Sequence, residues 1–320
     1  MKILVTGGLG YIGSIVAKQL RESGFEVVIY DHAIKHSPIE SNNQIFIKGD
    51  TTDYELLKKT LVENNIQAVL HFAAYIEAGE SMQNPGKYFS NNVYGSLQLL
   101  RAMADCQVKR LIFSSTAAVY GEPESVPIAE TASKKPVNAY GQSKLMVEQM
   151  LPWFEKSYGI NSIVIRYFNA CGALLDGSMG EMHNPETHLI PNILLAVKEN
   201  RTFMLFGNDY PTADGTCVRD YIHVLDLASA HITALQALIN GHKSDIYNAG
   251  TGNGYSNKQI VDTVEQVTGK KVQVEYRPRR LGDSAQLIAD SGKLKREFNW
   301  QTKYSDLQTI ISSAWKWHNT

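Results

Sequence analysis

The chain has 320 residues, of which 43% are apolar and 20% charged, the profile of a packed globular enzyme and not of a disordered segment. Its 31 basic and 32 acidic residues leave a net charge of −1, so no global attraction to nucleic acid or to an anionic membrane follows. Three scattered cysteines, Cys106, Cys171 and Cys217, make no C-x-x-C pair, which argues against a disulfide framework and suits a cytoplasmic protein.

Along the chain, Ile3–Val5 reads as a buried strand and Gly13–Ser23 as a helix. The N-terminal MKILVTGG is not read as a signal peptide, because its apolar run is short and ends in glycines. Strands are predicted at 27–30, 45–50, 68–73, 110–115 and 162–169, and helices at 56–64, 92–105 and after Tyr140. Strands rich in Val, Ile and Leu without polar alternation are buried on both faces. Their alternation with helices predicts a parallel, doubly wound Rossmann-type α/β sheet, which binds its ligand at the carboxyl ends of the strands. After about residue 175 the texture changes. Residues 174–188 and 203–222 read as loops, a helix is predicted near 191–199, and another at 224–240. The tail from 256 carries two helical patterns and a charged loop, with Arg277–Arg280 as a local basic pocket. The expected division is a dinucleotide-binding domain over 1–175, to which 219–250 returns, and a smaller C-terminal α/β substrate domain over 176–320. No stretch of about 20 apolar residues is present to span a membrane, and Trp315 and Trp317 read as packing residues.

VTGGLGYIGS at 5–14 joins the first strand to the first helix. Gly7, Gly10 and Gly13, with Tyr11 and Ile12 between them, form a G-x-x-G-x-x-G turn. Such a turn lets backbone N–H groups approach a pyrophosphate at a helix N-terminus. Asp31 at the end of the second strand can accept from ribose hydroxyls and would repel a 2′-phosphate. Lys35 is the one nearby cation and no arginine follows closely, so NAD is favoured over NADP. Asp50, after the third strand, is placed to bond the adenine amino group.

AYGQSK sets Tyr140 and Lys144 four apart on one helical face. A phenol with a pKa near 10 is a poor base at neutral pH. Bringing it to about 7 takes roughly 4 kcal/mol of differential electrostatics, which a nearby ammonium and a cationic nicotinamide can supply. FSSTAAVYG at 113–121 adds Thr116 just beyond a strand, where its hydroxyl can relay or share the proton.

These motifs, together with HFAA, RYFN, GNDYPTADGTCVRDYIHVLDL and PRRLGD, resemble in order and over nearly the whole chain the UDP-glucose 4-epimerases of the extended short-chain dehydrogenase/reductase superfamily. The glycine turn and Tyr-x-x-x-Lys mark the superfamily, and Gly207–Leu227 is more specific. The resemblance implies a homodimer with tightly bound NAD that interconverts UDP-glucose and UDP-galactose, in galactose metabolism, by transient oxidation at carbon 4. It implies Thr116, Tyr140 and Lys144 as catalytic residues. Gly7, Gly10, Tyr11, Ile12, Gly13, Asp31, Asp50, Thr51, Phe72, Ala73, Ala74, Asn91, Ser114 and Tyr167 would line the cofactor with Tyr140 and Lys144. Asn169, His188, Leu189, Phe206, Arg219, Tyr221, Arg280 and Asp283 would hold the UDP-sugar with Thr116, the two arginines acting as fixed cations for a diphosphate. No metal is implied.

Three positions depart from the family pattern. Ile76 stands where some members place a lysine that reaches the cofactor. His188 replaces a frequent asparagine. Leu287 falls where size is linked to acceptance of N-acetylated sugars, which keeps a 4-epimerase of UDP-GlcNAc as an alternative. A dehydratase or decarboxylase would keep acidic groups after the threonine, where this chain has Ala117 and Ala118. A non-catalytic NAD sensor would need only the glycine turn.

Overall fold

The computed structural model describes residues 1–32, 45–280 and 283–319. The chain runs through β1 (Lys2–Thr6), α1 (Tyr11–Glu22), β2 (Glu26–Asp31), β3 (Ile45–Lys48), α2 (Tyr54–Glu63) and β4 (Ala68–His71). Short helices α3 (Ala78–Gln83) and α4 (Pro85–Tyr88) lead through a π-helical turn at Phe89–Tyr94 into α5 (Gly95–Asp105). Next come β5 (Arg110–Thr116), a 3₁₀ turn at Ala117–Val119, α6 (Ala139–Tyr158), β6 (Asn161–Tyr167) and β7 (Asn169–Cys171). The chain continues with α7 (Leu189–Glu199), β8 (Phe203–Phe206), β9 (Val218–Arg219), β10 (Tyr221–His223), α8 (Val224–Ile239) and β11 (Asp245–Ala249). It closes with β12 (Tyr255–Ser256), α9 (Asn257–Thr268), β13 (Val274–Arg277), β14 (Gln286–Leu287), α10 (Gly292–Phe298) and α11 (Leu307–Asn319).

Two compact units result. The first comprises residues 1–121, 134–166 and 228–247; the second comprises 122–133, 167–227 and 248–320. The first is built on a seven-stranded sheet in the order β11-β6-β5-β4-β1-β2-β3. β1 pairs in parallel with both β2 and β4, so the strand order reverses at β1, and a crevice opens beyond its carboxyl end. Ile3, Leu4 and Val5 are all fully buried, because helices cover both faces of a parallel sheet. On one face Leu57 of α2, Leu99 and Met103 of α5, and Val147 and Leu151 of α6 pack on Leu4, Val28, Val69, Leu111 and Phe113. Each such side chain contributes about 1.5–3 kcal/mol by leaving water.

α6 is bounded by its own sequence. Asn138 caps it by accepting the Gly141 N–H at 2.8 Å, and Gly159 ends it in the left-handed conformation, φ 66°.

The second unit has its own apolar core, where Ile190, Ile193 and Leu194 of α7 meet Ile260 and Val264 of α9 and Ile310 and Ile311 of α11. Its described strands are short and fall into three small sheets. The region 203–222, read from sequence as a loop, contains β8, β9 and β10. Gly207, Pro211 and Gly215 punctuate it, and strands of two to four residues are too short to show alternation. Among the described residues the tail holds three helices where the sequence suggested two, because α10, GKLKREF, is short and mostly charged.

Candidate active site

The glycine turn sits at the crevice. Gly7 adopts φ +70°, and a Cβ there would lie 2.6 Å from the Ala73 backbone nitrogen, so the turn closes directly on the chain leaving β4. Gly10 differs, since a Cβ on it would meet only the Gly7 carbonyl, at 3.3 Å. A side chain at 10 would ask the Gly7 carbonyl to give by only a few tenths of an ångström, far less than one at Gly7 would ask, and the bare backbone at 10 lines the cleft. α1 starts at Gly10 with no side-chain cap and no acidic residue in its first turn, an arrangement suited to an anion.

A cleft opens at this point, lined by Gly7, Gly10, Asp31, Asp50, Thr51, Phe72, Ala73, Ala74 and Asn91 of the expected cofactor set, with Leu9, Tyr30, His32, Gly49 and Tyr75 in addition. Tyr11, Ile12, Gly13, Ser114, Tyr140 and Lys144 lie outside this lining, and Tyr167 ends β6 in the second unit. Asp31 is 7% exposed, and its Oδ2 accepts the Leu9 N–H at 3.0 Å, so the carboxylate also braces the glycine turn. Asp50 accepts both the N–H and the hydroxyl of Thr52, at 2.8 and 2.7 Å. Tyr30 anchors this loop from below by donating to the Asp50 carbonyl at 2.8 Å. Lys35 lies outside the described residues. These features fit a dinucleotide: an uncapped helix start for the pyrophosphate, space at Gly10, and carboxylates at the ends of two successive strands.

Tyr140 and Lys144 stand one turn apart near the start of α6, 8% and 3% exposed. The Lys144 Nζ donates to the Ser114 carbonyl at 2.8 Å and lies 4.9 Å from the Phe113 ring centre. Burial pulls its pKa down to about 7, against the opposing pull of Glu148. An ammonium so close to losing its charge is stabilised by any anion placed beside it. Thr116 ends β5, and its Oγ1 accepts the Ala118 N–H at 3.1 Å, leaving its own hydrogen for donation. Gly141 brings the two elements together: a Cβ there would lie 2.5 Å from the Ala118 carbonyl oxygen.

Beneath this layer lie polar residues that sequence reasoning missed. Asn92, 2% exposed, accepts the Tyr75 N–H at 2.9 Å and donates to the Tyr75 carbonyl and the Ser143 hydroxyl, both at 3.0 Å. Ser143 in turn donates to the Tyr140 carbonyl at 2.7 Å. A bridge thus links the cleft wall to the helix bearing the tyrosine. His71 lies between the Thr6 and Ser96 hydroxyls at 2.6 and 2.8 Å, and burial, with Lys144 nearby, holds its pKa down to about 3. Glu148 takes a bidentate pair from Arg166, which also donates to the Tyr120 hydroxyl, and accepts from Ser115. Spacing was the available signal, since Ser143 and Glu148 recur at i+3 and i+8 from Tyr140 on an otherwise apolar face.

In the second unit, Arg219 is held by the Val218 and Ser284 carbonyls at 3.0 and 2.8 Å, and its Nη2 lies 3.6 Å from Asp283. Leu287 pairs with Arg219 across adjacent strands. The Arg280 guanidinium stacks over Phe206 at 4.1 Å. Asn169 pairs with Tyr221, whose phenol is buried, and donates to the Asp220 carbonyl at 2.9 Å. His188 is the N-cap residue of α7, followed by Leu189. Burial opposes its charge, but bonds to Glu181 and Glu186 dominate and raise its pKa to about 10.

A model of the NAD dependent epimerase/dehydratase family matches residues 3–250. A UDP-glucose 4-epimerase of Lacticaseibacillus casei is 46% identical over 320 residues, covering 99% of this chain and 97% of the relative. That of Lactobacillus helveticus is 45% identical, covering 100% and 98%. A crystal structure of a UDP-glucose 4-epimerase superposes with a TM-score of 0.96 at 45% identity, covering 100% of this chain and 98% of the other. The UDP-glucose 4-epimerase from Brucella ovis in complex with NAD gives 0.93 at 41% identity, covering 98% and 96%.

Proposed function

This chain belongs to the UDP-glucose 4-epimerases of the NAD dependent epimerase/dehydratase family, and from that premise we propose that it interconverts UDP-glucose and UDP-galactose. The first unit binds NAD and the second binds the UDP-sugar. NAD bound in the cleft supplies the reversible two-electron acceptor for oxidation at carbon 4.

The chain's own residues do the rest. Tyr140, as phenolate, takes the proton of the sugar 4-hydroxyl, directly or through Thr116, and returns it when the hydroxyl re-forms. Lys144 stabilises the phenolate and orients the cofactor ribose. The glycine turn with Tyr11, Ile12 and Gly13 holds the pyrophosphate. Asp31 takes the ribose, and Asp50 with Thr51 the adenine end. Phe72, Ala73, Ala74, Asn91, Ser114 and Tyr167 complete the cofactor wall. Arg219 and Arg280 grip the diphosphate, with Asn169, His188, Leu189, Phe206, Tyr221 and Asp283 around the uridine and sugar. Binding energy concentrated on UDP leaves the sugar loose enough to turn over between the two halves of the reaction.

The observation that carries this reading is the close packing of α6 on the turn after β5, with Gly141 against the Ala118 carbonyl. It supports placing Thr116, Tyr140 and Lys144 in one proton-transfer group. Tyr140→Phe is expected to lower kcat by about 10³-fold with NAD content unchanged, measured by NMR of the UDP-galactose to UDP-glucose conversion. Near-normal turnover would end the assignment. Product identification with UDP-Glc and UDP-GlcNAc offered separately tests the sugar, and conversion of the second alone would replace the glucose/galactose assignment.

The protein acts in the cytoplasm, in galactose metabolism, as a homodimer. No described helix is long and apolar enough to cross a membrane. Exposed apolar side chains support the dimer: Tyr94 in the turn before α5, and Met146 and Trp153 on α6, with Trp153 68% exposed. Trp153→Glu is expected to shift sedimentation from dimer to monomer, and an unchanged coefficient in both forms would remove this interface.

A further inference from the structure

Beyond the epimerase chemistry, we propose that Glu181, His183, Glu186 and His188 form a closed site for a single divalent cation of the zinc class. The four residues lie in eight consecutive positions just before α7, in a segment without regular secondary structure. One donor atom from each falls within 4.8 Å of all the others. The His183 Nδ1 is 3.0 Å from Glu181 Oε1 and 3.9 Å from Glu186 Oε1. The His188 Nδ1 is 2.5 and 3.5 Å from the same two oxygens. Ligands about 2.0 Å from a tetrahedral zinc lie roughly 3.3 Å from one another. The observed separations straddle that edge length, so only small side-chain movements would separate this arrangement from a coordination shell.

Charge gives a second reason. The Glu181 and Glu186 side chains are only 5% and 6% exposed, and neither has a lysine or arginine partner among the described residues. Two carboxylates withdrawn from water require compensating positive charge, and in the metal-free arrangement the protonated forms of His183 and His188, which these carboxylates favour, supply it. One divalent cation would take over that role by displacing the imidazole protons, leaving both rings neutral, the form in which they ligate.

The donors sit on a backbone fixed from outside the cluster. Trp317 Nε1–H donates to the Glu181 carbonyl at 2.8 Å, and the Asn192 amide to the carbonyls of Glu186 and His188, both at 3.0 Å. Two imidazole nitrogens with two carboxylate oxygens suit zinc or a neighbouring borderline metal, whereas calcium and magnesium prefer all-oxygen shells. Four protein ligands leave no open position, which makes the site structural and leaves His188 only its backbone for the UDP-sugar contact assigned above. It staples an irregular segment to the first turn of α7 and, through Trp317, to α11.

The test uses untagged full-length protein, stripped with a chelator, incubated with zinc chloride and passed through gel filtration, with metal measured by mass spectrometry. One equivalent per chain is expected, falling to less than about a tenth of that in Glu181→Gln and His183→Ala. Cobalt(II) loading of the wild type should give the intense visible absorption of a four-coordinate ion, a readout that needs neither variant to fold. Retention below a tenth of an equivalent by the wild type, variants that keep wild-type zinc, or the weak spectrum of six-coordinate cobalt would each overturn the site.

Discussion

Aspartate means opposite things in the two units. In the first, Asp31 and Asp50 stand at or just beyond the ends of parallel strands and line the cleft. The ladder satisfies most of the backbone around them, so their carboxylates clamp only local groups, Asp31 the Leu9 N–H and Asp50 the N–H and hydroxyl of Thr52. In the second unit, Asp220 is fully buried and accepts the N–H groups of Thr251, Gly252 and Ala289 and the Thr251 hydroxyl. Asp226 likewise takes the N–H groups of Lys303 and Tyr304 and the Ser305 hydroxyl. Where strands are only two or three residues long, carboxylates stand in for missing ladder bonds. The first unit therefore positions its site mainly with ladder backbone, aided by short-range braces such as Asp31 on Leu9, and the second relies more on buried carboxylates clamping distant backbone.

The contrast is most open to attack at Asp220. Asp220→Ala strands four donors in a buried place and is expected to cost about 3–5 kcal/mol, whereas Asp50→Ala, at an exposed turn, is expected to cost less than about 1 kcal/mol of cofactor-free stability. Urea unfolding of both variants measures the gap, and equal losses would erase the distinction. At the glycine turn, Gly10→Ala should leave the melting temperature of the cofactor-free protein nearly unchanged while weakening NAD binding about tenfold or more, read by calorimetry. A comparable loss of fold stability would mean that the fold itself requires that glycine. A further effect concerns acid. His71 is held near 3 in the fold against 6.5 ordinarily. Between those values the unfolded chain binds the extra proton, so stability falls as pH drops from 6.5 toward 3. His71→Gln should make that decline shallower in melting curves taken across the window, and an unchanged slope would assign the acid limb to other groups.

This division also explains what the sequence made legible. The sheet, the glycine turn and the Tyr140–Lys144 pair announce themselves through local rules: apolar runs, glycine spacing and helical periodicity. Asn92 and His71 obey no local rule, and the spacing of Glu148 from Tyr140 marks its face without naming Arg166 as its partner. Their partners lie far along the chain, and a polar residue on an apolar helical face gives no address for the group it meets. The clamps of the second unit were hidden for the same reason. Within VRDYIHVLDL, Arg219 and Tyr221 stood out as ligand contacts, while Asp220 and Asp226 between and beside them were passed over, although Thr251 and Ser305 depend on them. The strands flanking Asp220 were read as loop because two or three residues carry no period.

The π-helical turn at Phe89–Tyr94 has a consequence for how this chain tolerates insertions and deletions. Each residue advances a helix by about 100°, and the wider turn absorbs one residue more than regular winding allows. That surplus lets adjacent asparagines serve different masters, Asn91 at the cleft wall and Asn92 in the bridge to Ser143. Removing a single residue here would leave composition almost intact and yet set one of the two asparagines pointing to the wrong neighbour. The length of this segment is therefore under as firm a constraint as its chemistry.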